Sequence, residues 1–184
     1  MTDLKKEREK DEIILTLSEK VYNNLLKHLL PSKGKLEESA FLFVDVTIDG
    51  SEVEFIYRDS YYVLEKDYVF RSGFHLELKD SVRAMVIKKA HELNCCIVES
   101  HSHIDQEIAE FSYSDWTGLD DFVPHIQWRL KGKPYISLVF TRRNFDALVW
   151  FKDKQTPIAL KGIRVGNKLK VPTGKSIKNK YYEE

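Results

Sequence analysis

The sequence predicts an α/β fold, a mixed β-sheet flanked by helices in a single domain, with α+β as the alternative. Three observations point there. The chain has 184 residues, a length that fits one domain and leaves little room for a second. Three stretches carry helix periodicity or helix caps. Short runs rich in β-branched and aromatic residues lie between them, so helices separate groups of strands.

In chain order, residues 1–12 (MTDLKKEREKDE) form a charged arm without the apolar core of a signal peptide. A short strand covers Ile13 to Leu17. Ser18 caps a helix running to about Leu30, with Val21, Leu25, Leu26 and Leu29 on one side. "PSKGK" is a loop. "ESAFLFVDVTI" is a strand, Asp49-Gly50 a hairpin turn and "EVEFIYR" the return strand. Residues 59–78 hold one or two short strands. Asp80 or Ser81 caps a second helix that ends near Asn94. "CCIVES" is a buried strand. A third helix runs from about Ser112 to Leu130, with a kink or break expected at Pro124. "YISLVFT" and "FDALVWF" make a further hairpin, and "IALKGIRV" a last strand. The domain is placed at 13–165 and a basic tail at 166–184.

Lys plus Arg and Asp plus Glu number 29 each, which gives no general pull toward nucleic acid or anionic membrane. No apolar stretch is long enough to span a bilayer, so a soluble cytoplasmic protein is expected. The two cysteines, Cys95 and Cys96, are adjacent and would face opposite sides of a strand. A Cys-rich zinc site is thereby excluded.

The chemistry concentrates in "ESHSHIDQEIAEFSYSD", residues 99–115. His101 and His103 follow the strand 95–100; if that extended geometry continues, both imidazoles point the same way and can grip one ion. A catalytic zinc takes three protein ligands and keeps a fourth position open. Ser112 and Asp115, at i and i+3, share the first turn of the third helix, and the loop 104–111 can fold Asp115 back as the third ligand. Each half alone is weak, since S-x-x-D is also an ordinary capping box. A general base must still move protons. Glu38, opening "ESAFLF", is the candidate, with Glu99, on the histidine face, as the alternative. Glu37 reads as a solvated acid. His28, His75, His91 and His125 read as surface or unpartnered residues, and Trp116, Phe122 and Trp128 as core, with Trp116 also placed to line a cleft.

Glu38, His101-Ser102-His103 and Ser112-x-x-Asp115 together resemble the JAMM motif of the JAB1/MPN/Mov34 zinc metalloprotease family. The resemblance covers roughly residues 13–151. It implies the cytidine-deaminase-like MPN/JAB fold and one catalytic Zn2+ per chain. His101, His103 and Asp115 become the ligands, Glu38 the base and Ser112 an oxyanion helper. Three positions depart from the family pattern: the loop from His103 to Ser112 is one residue longer than is commonest, Ile104 replaces Pro, and Phe41 stands three residues after Glu38 where Gly is usual. These point to the divergent prokaryotic branch, some of whose members work beside ubiquitin-like systems in antiviral operons.

The expected activity is hydrolysis of an amide bond at the C-terminal tail of a ubiquitin or ubiquitin-like protein, with E1-like and E2-like proteins as companions. The tail would dock as an added strand around residues 52–78. Precursor processing and deconjugation stay unseparated. The alternative is a non-catalytic MPN-type scaffold. Residues 161–180 carry seven Lys or Arg and no acid, but a solvated tail is favoured there over a nucleic-acid interface.

Overall fold

An unbroken apolar run in the strand after the first helix sends successive side chains to opposite faces of the sheet, and so builds the molecule's two cores. The structure, a computed structural model, describes residues 12–151 and 156–181. Strand β1 (Glu12–Leu17) leads into helix α1 (Glu19–Leu29), whose N-cap Ser18 accepts from the Val21 amide. Strands β2 (Ser39–Asp49) and β3 (Glu52–Tyr62) form the expected hairpin, with Gly50 at positive φ in its turn. A single 3-10 turn precedes a two-stranded hairpin, β4 (Tyr68–Arg71) and β5 (Leu76–Leu78). Then come α2 (Asp80–Leu93), β6 (Cys96–Ser102), α3 (Tyr113–Arg129), β7 (Tyr135–Phe140) and β8 (Phe145–Trp150). The described chain closes with β9 (Ile158–Ala159), β10 (Gly162–Val165), β11 (Lys168–Lys170) and α4 (Lys175–Tyr181).

Nine strands join one mixed sheet in the order β11-β10-β1-β3-β2-β6-β7-β8-β9. β1 runs parallel to both neighbours, and β6 runs parallel to β7. Neighbouring residues in a strand face opposite sides, so Ala40, Leu42 and Val44 join one core with Leu25 and Leu29 of α1. Phe41 and Phe43 join the other, under α2 and α3, with Val86, Val123 and Ile126. Cys95 and Cys96 fall into opposite cores, as their adjacency required. Full burial of each Leu or Phe is worth about 1.5–3 kcal/mol, so both faces of the sheet are strongly held.

Several expectations are corrected. Helix α2 starts a residue early: Lys79 is its N-cap and makes no side-chain cap bond, while Asn94 closes it in a left-handed conformation. Helix α3 runs unbroken through Pro124, which is exposed; the bond that proline cannot donate would have gone to Asp120, also exposed. Trp128 is 71% exposed, not core. β3 lies between β1 and β2, so within 52–78 only the β4–β5 hairpin has a free edge. The stretch expected as a tail is part of the fold: β11 pairs with β10, and Ser176 is buried. Of the charged arm, residues 1–11 lie outside the described residues, as do residues 182–184.

Candidate metal centre

Strand β6 runs antiparallel to β2 with Ser39 opposite His101, and parallel to β7. Its extended path carries past the last sheet residue, because the His103 amide donates to the Phe140 carbonyl at 2.8 Å. His101 and His103 therefore point to the same side, under α3. Both are buried. Loop 104–111 then returns the chain to Ser112, the N-cap of α3. The Ser112 hydroxyl donates to Asp115 Oδ2 at 2.7 Å and accepts from the Asp115 amide at 3.2 Å, while Asp115 Oδ2 accepts from the Ser112 amide at 2.7 Å. This is a capping box, and it turns the Asp115 carboxylate toward the histidines.

The three side chains converge. His101 Nε2 lies 3.2 Å from His103 Nε2 and 3.3 Å from Asp115 Oδ1; His103 Nε2 lies 3.2 Å from Asp115 Oδ2. Among the described residues this is the one group of three or more His, Cys, Asp or Glu with ligand atoms close enough for one ion. Zinc bonds of about 2.0–2.1 Å in a tetrahedron set ligand atoms roughly 3.3–3.4 Å apart, and the observed edges match. Two ring nitrogens at 3.2 Å need either a shared proton or a cation between them. The Gln106 side-chain oxygen, 3.1 Å from His103 Nδ1, can only accept. A proton on Nδ1 would satisfy that acceptor and leave the Nε2 lone pair facing the cluster, the tautomer a metal requires.

Electrostatics agree with that donor set. Burial works against a charged His101, but the Asp115 carboxylate, with Glu99 and Glu37 farther off, outweighs it and raises the pKa. Burial would raise the Asp115 pKa, yet His101 and then His103 hold it below the ordinary carboxylate range. Each shift has the same cause: the Asp115 carboxylate and the two imidazoles face one another at close range.

The glutamates do not fall as expected. Glu38 is tied elsewhere: its carboxylate pairs with Arg71 and accepts from the Tyr68 hydroxyl at 3.2 Å. Its neighbour Glu37 is the one that faces the cluster. Glu37 Oε1 lies 3.9 Å from His103 Nε2, the residue is buried, and burial raises its pKa against the pull of His103 and His101. The reason is register. Ser39 stands opposite His101, and the Ser102 amide donates to the Glu38 carbonyl at 3.0 Å, so Glu38 answers Ser102 and Glu37 answers His103. The Glu37 amide also donates to the Ser72 carbonyl at 2.7 Å, fixing it to the turn between β4 and β5. Glu99, the alternative base, does share the cluster's face but is engaged by the Tyr135 hydroxyl.

A cavity of about 220 Å³ opens beside the cluster, with Glu37, Glu99, His101, Ser112 and Asp115 in its wall. Phe74, 84% exposed, also lines it, as do Gly118 and Phe122 of α3. Trp116 is buried and lies outside that wall. Sequence reasoning missed Glu37 and Gln106. Glu37 was one residue from the chosen glutamate; nothing in the sequence singled out Gln106.

No family model matches the chain, and no curated protein matches it. Among solved structures it is similar to the Trichoplax adhaerens STIL N-terminal domain, at 12% identity and a TM-score of 0.39. That similarity covers 79% of this chain and 43% of the other, so this chain spans less than half of that one. A likeness at that level says nothing of the site.

Proposed function

We propose that the chain is a zinc-dependent isopeptidase or peptidase of the JAMM type, with the cytidine-deaminase-like MPN arrangement. Its substrate is an amide bond at the C-terminal tail of a ubiquitin-like protein. The observation that carries the reading is the convergence of His101, His103 and Asp115 at edges of 3.2–3.3 Å beside an accessible cavity. His101, His103 and Asp115 would hold Zn2+. Zinc in such a site polarises a carbonyl and acidifies water.

The chain's own residues divide the remaining work. Glu37 is the general base: a buried carboxylate with a raised pKa, it takes the proton of the attacking water and returns it to the departing amine. This moves the role from Glu38, which Arg71 and Tyr68 occupy. The family pattern gains from the shift, because Ala40, rather than Phe41, then stands three residues after the base where Gly is usual. Ser112 orients Asp115; donation to the oxyanion would require its hydroxyl to turn from Asp115 Oδ2. The β4–β5 hairpin beside the cavity offers the free edge against which an extended tail can pair. No described helix is long and apolar enough to cross a membrane. Cytoplasmic location, E1-like and E2-like companions and an antiviral setting belong to the same proposal.

One observation favours the scaffold reading. The Asp115 carboxylate completes the capping box, so the cluster has a structural use without an ion. Zinc content of protein purified without added metal, together with cleavage of ubiquitin-like fusions, tests the two. About one zinc per chain and chelator-sensitive cleavage is the expected result. Protein that cannot be loaded with zinc and leaves every fusion intact would overturn the enzyme reading and leave the scaffold ahead.

A further inference from the structure

The segment after β11 grips the loop that delivers Asp115. Thr173 Oγ1 donates to the Ala109 carbonyl at 2.7 Å. The Phe111 amide donates to Ser176 Oγ at 2.9 Å, and between them the Asn179 amide bonds the Glu110 carboxylate. Three consecutive loop residues, 109 to 111, are thus held by residues spaced three apart along 173–179. The last of them, Phe111, directly precedes the capping box.

The segment is itself anchored to the sheet. Asp146 of β8 is fully buried, and its carboxylate accepts from Gly174 N at 2.9 Å, Ser176 N at 2.9 Å, Ser176 Oγ at 2.6 Å and Ala147 N at 3.0 Å. A buried carboxylate is tolerated only with such donors around it. The Thr173 amide adds a bond to the Phe145 carbonyl. On the far side, Lys180 lies over the Trp116 ring and 3.5 Å from Asp120, tying the segment to α3.

We propose that Thr173 and Ser176 are positioning residues, which fix the loop 109–111 and so set how tightly the Asp115 arm closes on a metal. The inference rests on the zinc reading above. It gives the basic stretch a task inside the protein, in place of a solvated tail. Groups that orient metal ligands from outside typically change affinity about 10–100-fold when removed.

The test measures zinc affinity by chelator competition, and the visible spectrum of the cobalt-loaded protein, in the full chain. Thr173→Val keeps shape but loses the hydroxyl; Thr173→Ser keeps the hydroxyl. Ser176→Ala removes the acceptor of the Phe111 amide, and the exposed Lys178→Ala is the control. Thr173→Val and Ser176→Ala should each weaken zinc about tenfold or more and alter the cobalt spectrum. Thr173→Ser and Lys178→Ala should match wild type. Should Ser176→Ala fail to fold, the Val and Ser pair at position 173 decides alone. Affinities within twofold of wild type for Thr173→Val overturn the proposal and leave the zinc reading intact. A wild-type chain that takes up neither ion overturns the zinc reading at the first measurement, and this proposal with it.

Discussion

Replacing Glu37 by Gln should separate proton transfer from metal binding. The substitution is isosteric, and Glu37 is 3.9 Å from His103, outside the three-atom cluster. Burial already disfavours its charged form, so a neutral amide removes a penalty and should leave stability unchanged or slightly improved. Turnover should fall by about 10²–10⁴, the usual worth of a general base. Glu38→Gln gives the opposite pattern. Glu38 and Arg71 are 17% and 11% exposed, and the change removes half of a largely buried pair. Arg71 keeps Glu65, so a loss of about 1–3 kcal/mol is expected rather than the full cost of orphaning a buried charge. At about 2–4 °C per kcal/mol for a chain of this size, the melting point should drop visibly while turnover per folded molecule survives. The assay pairs zinc content and melting temperature with cleavage of a ubiquitin-like fusion. A fully active Glu37→Gln beside a zinc-loaded, stable but dead Glu38→Gln would refute the register argument.

Other outcomes follow from the same contacts. Asp115→Ala should lose zinc and also about 0.5–2 kcal/mol with the capping box, read by elemental analysis and denaturant melts. Ser112→Ala should lose a similar stability and weaken zinc, because it frees the carboxylate it orients; equal zinc affinity would leave Ser112 as a helix cap only. Chelation should lower the melting point: zinc at a hundred times its Kd contributes about 2.7 kcal/mol, or roughly 5–10 °C. Thiol alkylation should spare activity and fail on the native protein. Both cysteines are buried, and burial pushes the Cys96 thiol up to about 12. Mass spectrometry before and after unfolding checks this.

The parts of the site that local periodicity controls were legible in the sequence. His101 and His103 share a face because a strand repeats every two residues, and Ser112 meets Asp115 because a capping box spans three. The choice between Glu37 and Glu38 was not, because it depends on how β2 registers against β6, a contact between residues about sixty positions apart. The same limit explains residues 166–181. Their charge suggested solvent, whereas their fate depends on Asp146, a single acid inside an apolar strand whose partners lie 28 and 30 residues away. Pro124 misled because its effect depends on which carbonyl is left open, and the exposed face of α3 bears it at little cost.

β1 has a consequence for how the chain is made. Ile14 faces Gly162 across a parallel pair, 148 residues on in the chain. At about 5–20 residues per second, synthesis leaves that edge of the sheet unfilled for roughly 7–30 s after β1 emerges. During that window β1, lined by Ile13, Leu15 and Leu17, can pair with β3 while its other edge stays open to strands of neighbouring chains. Nascent chains of this protein are therefore exposed to aggregation until β10 arrives, and any product that stops short of it keeps that edge.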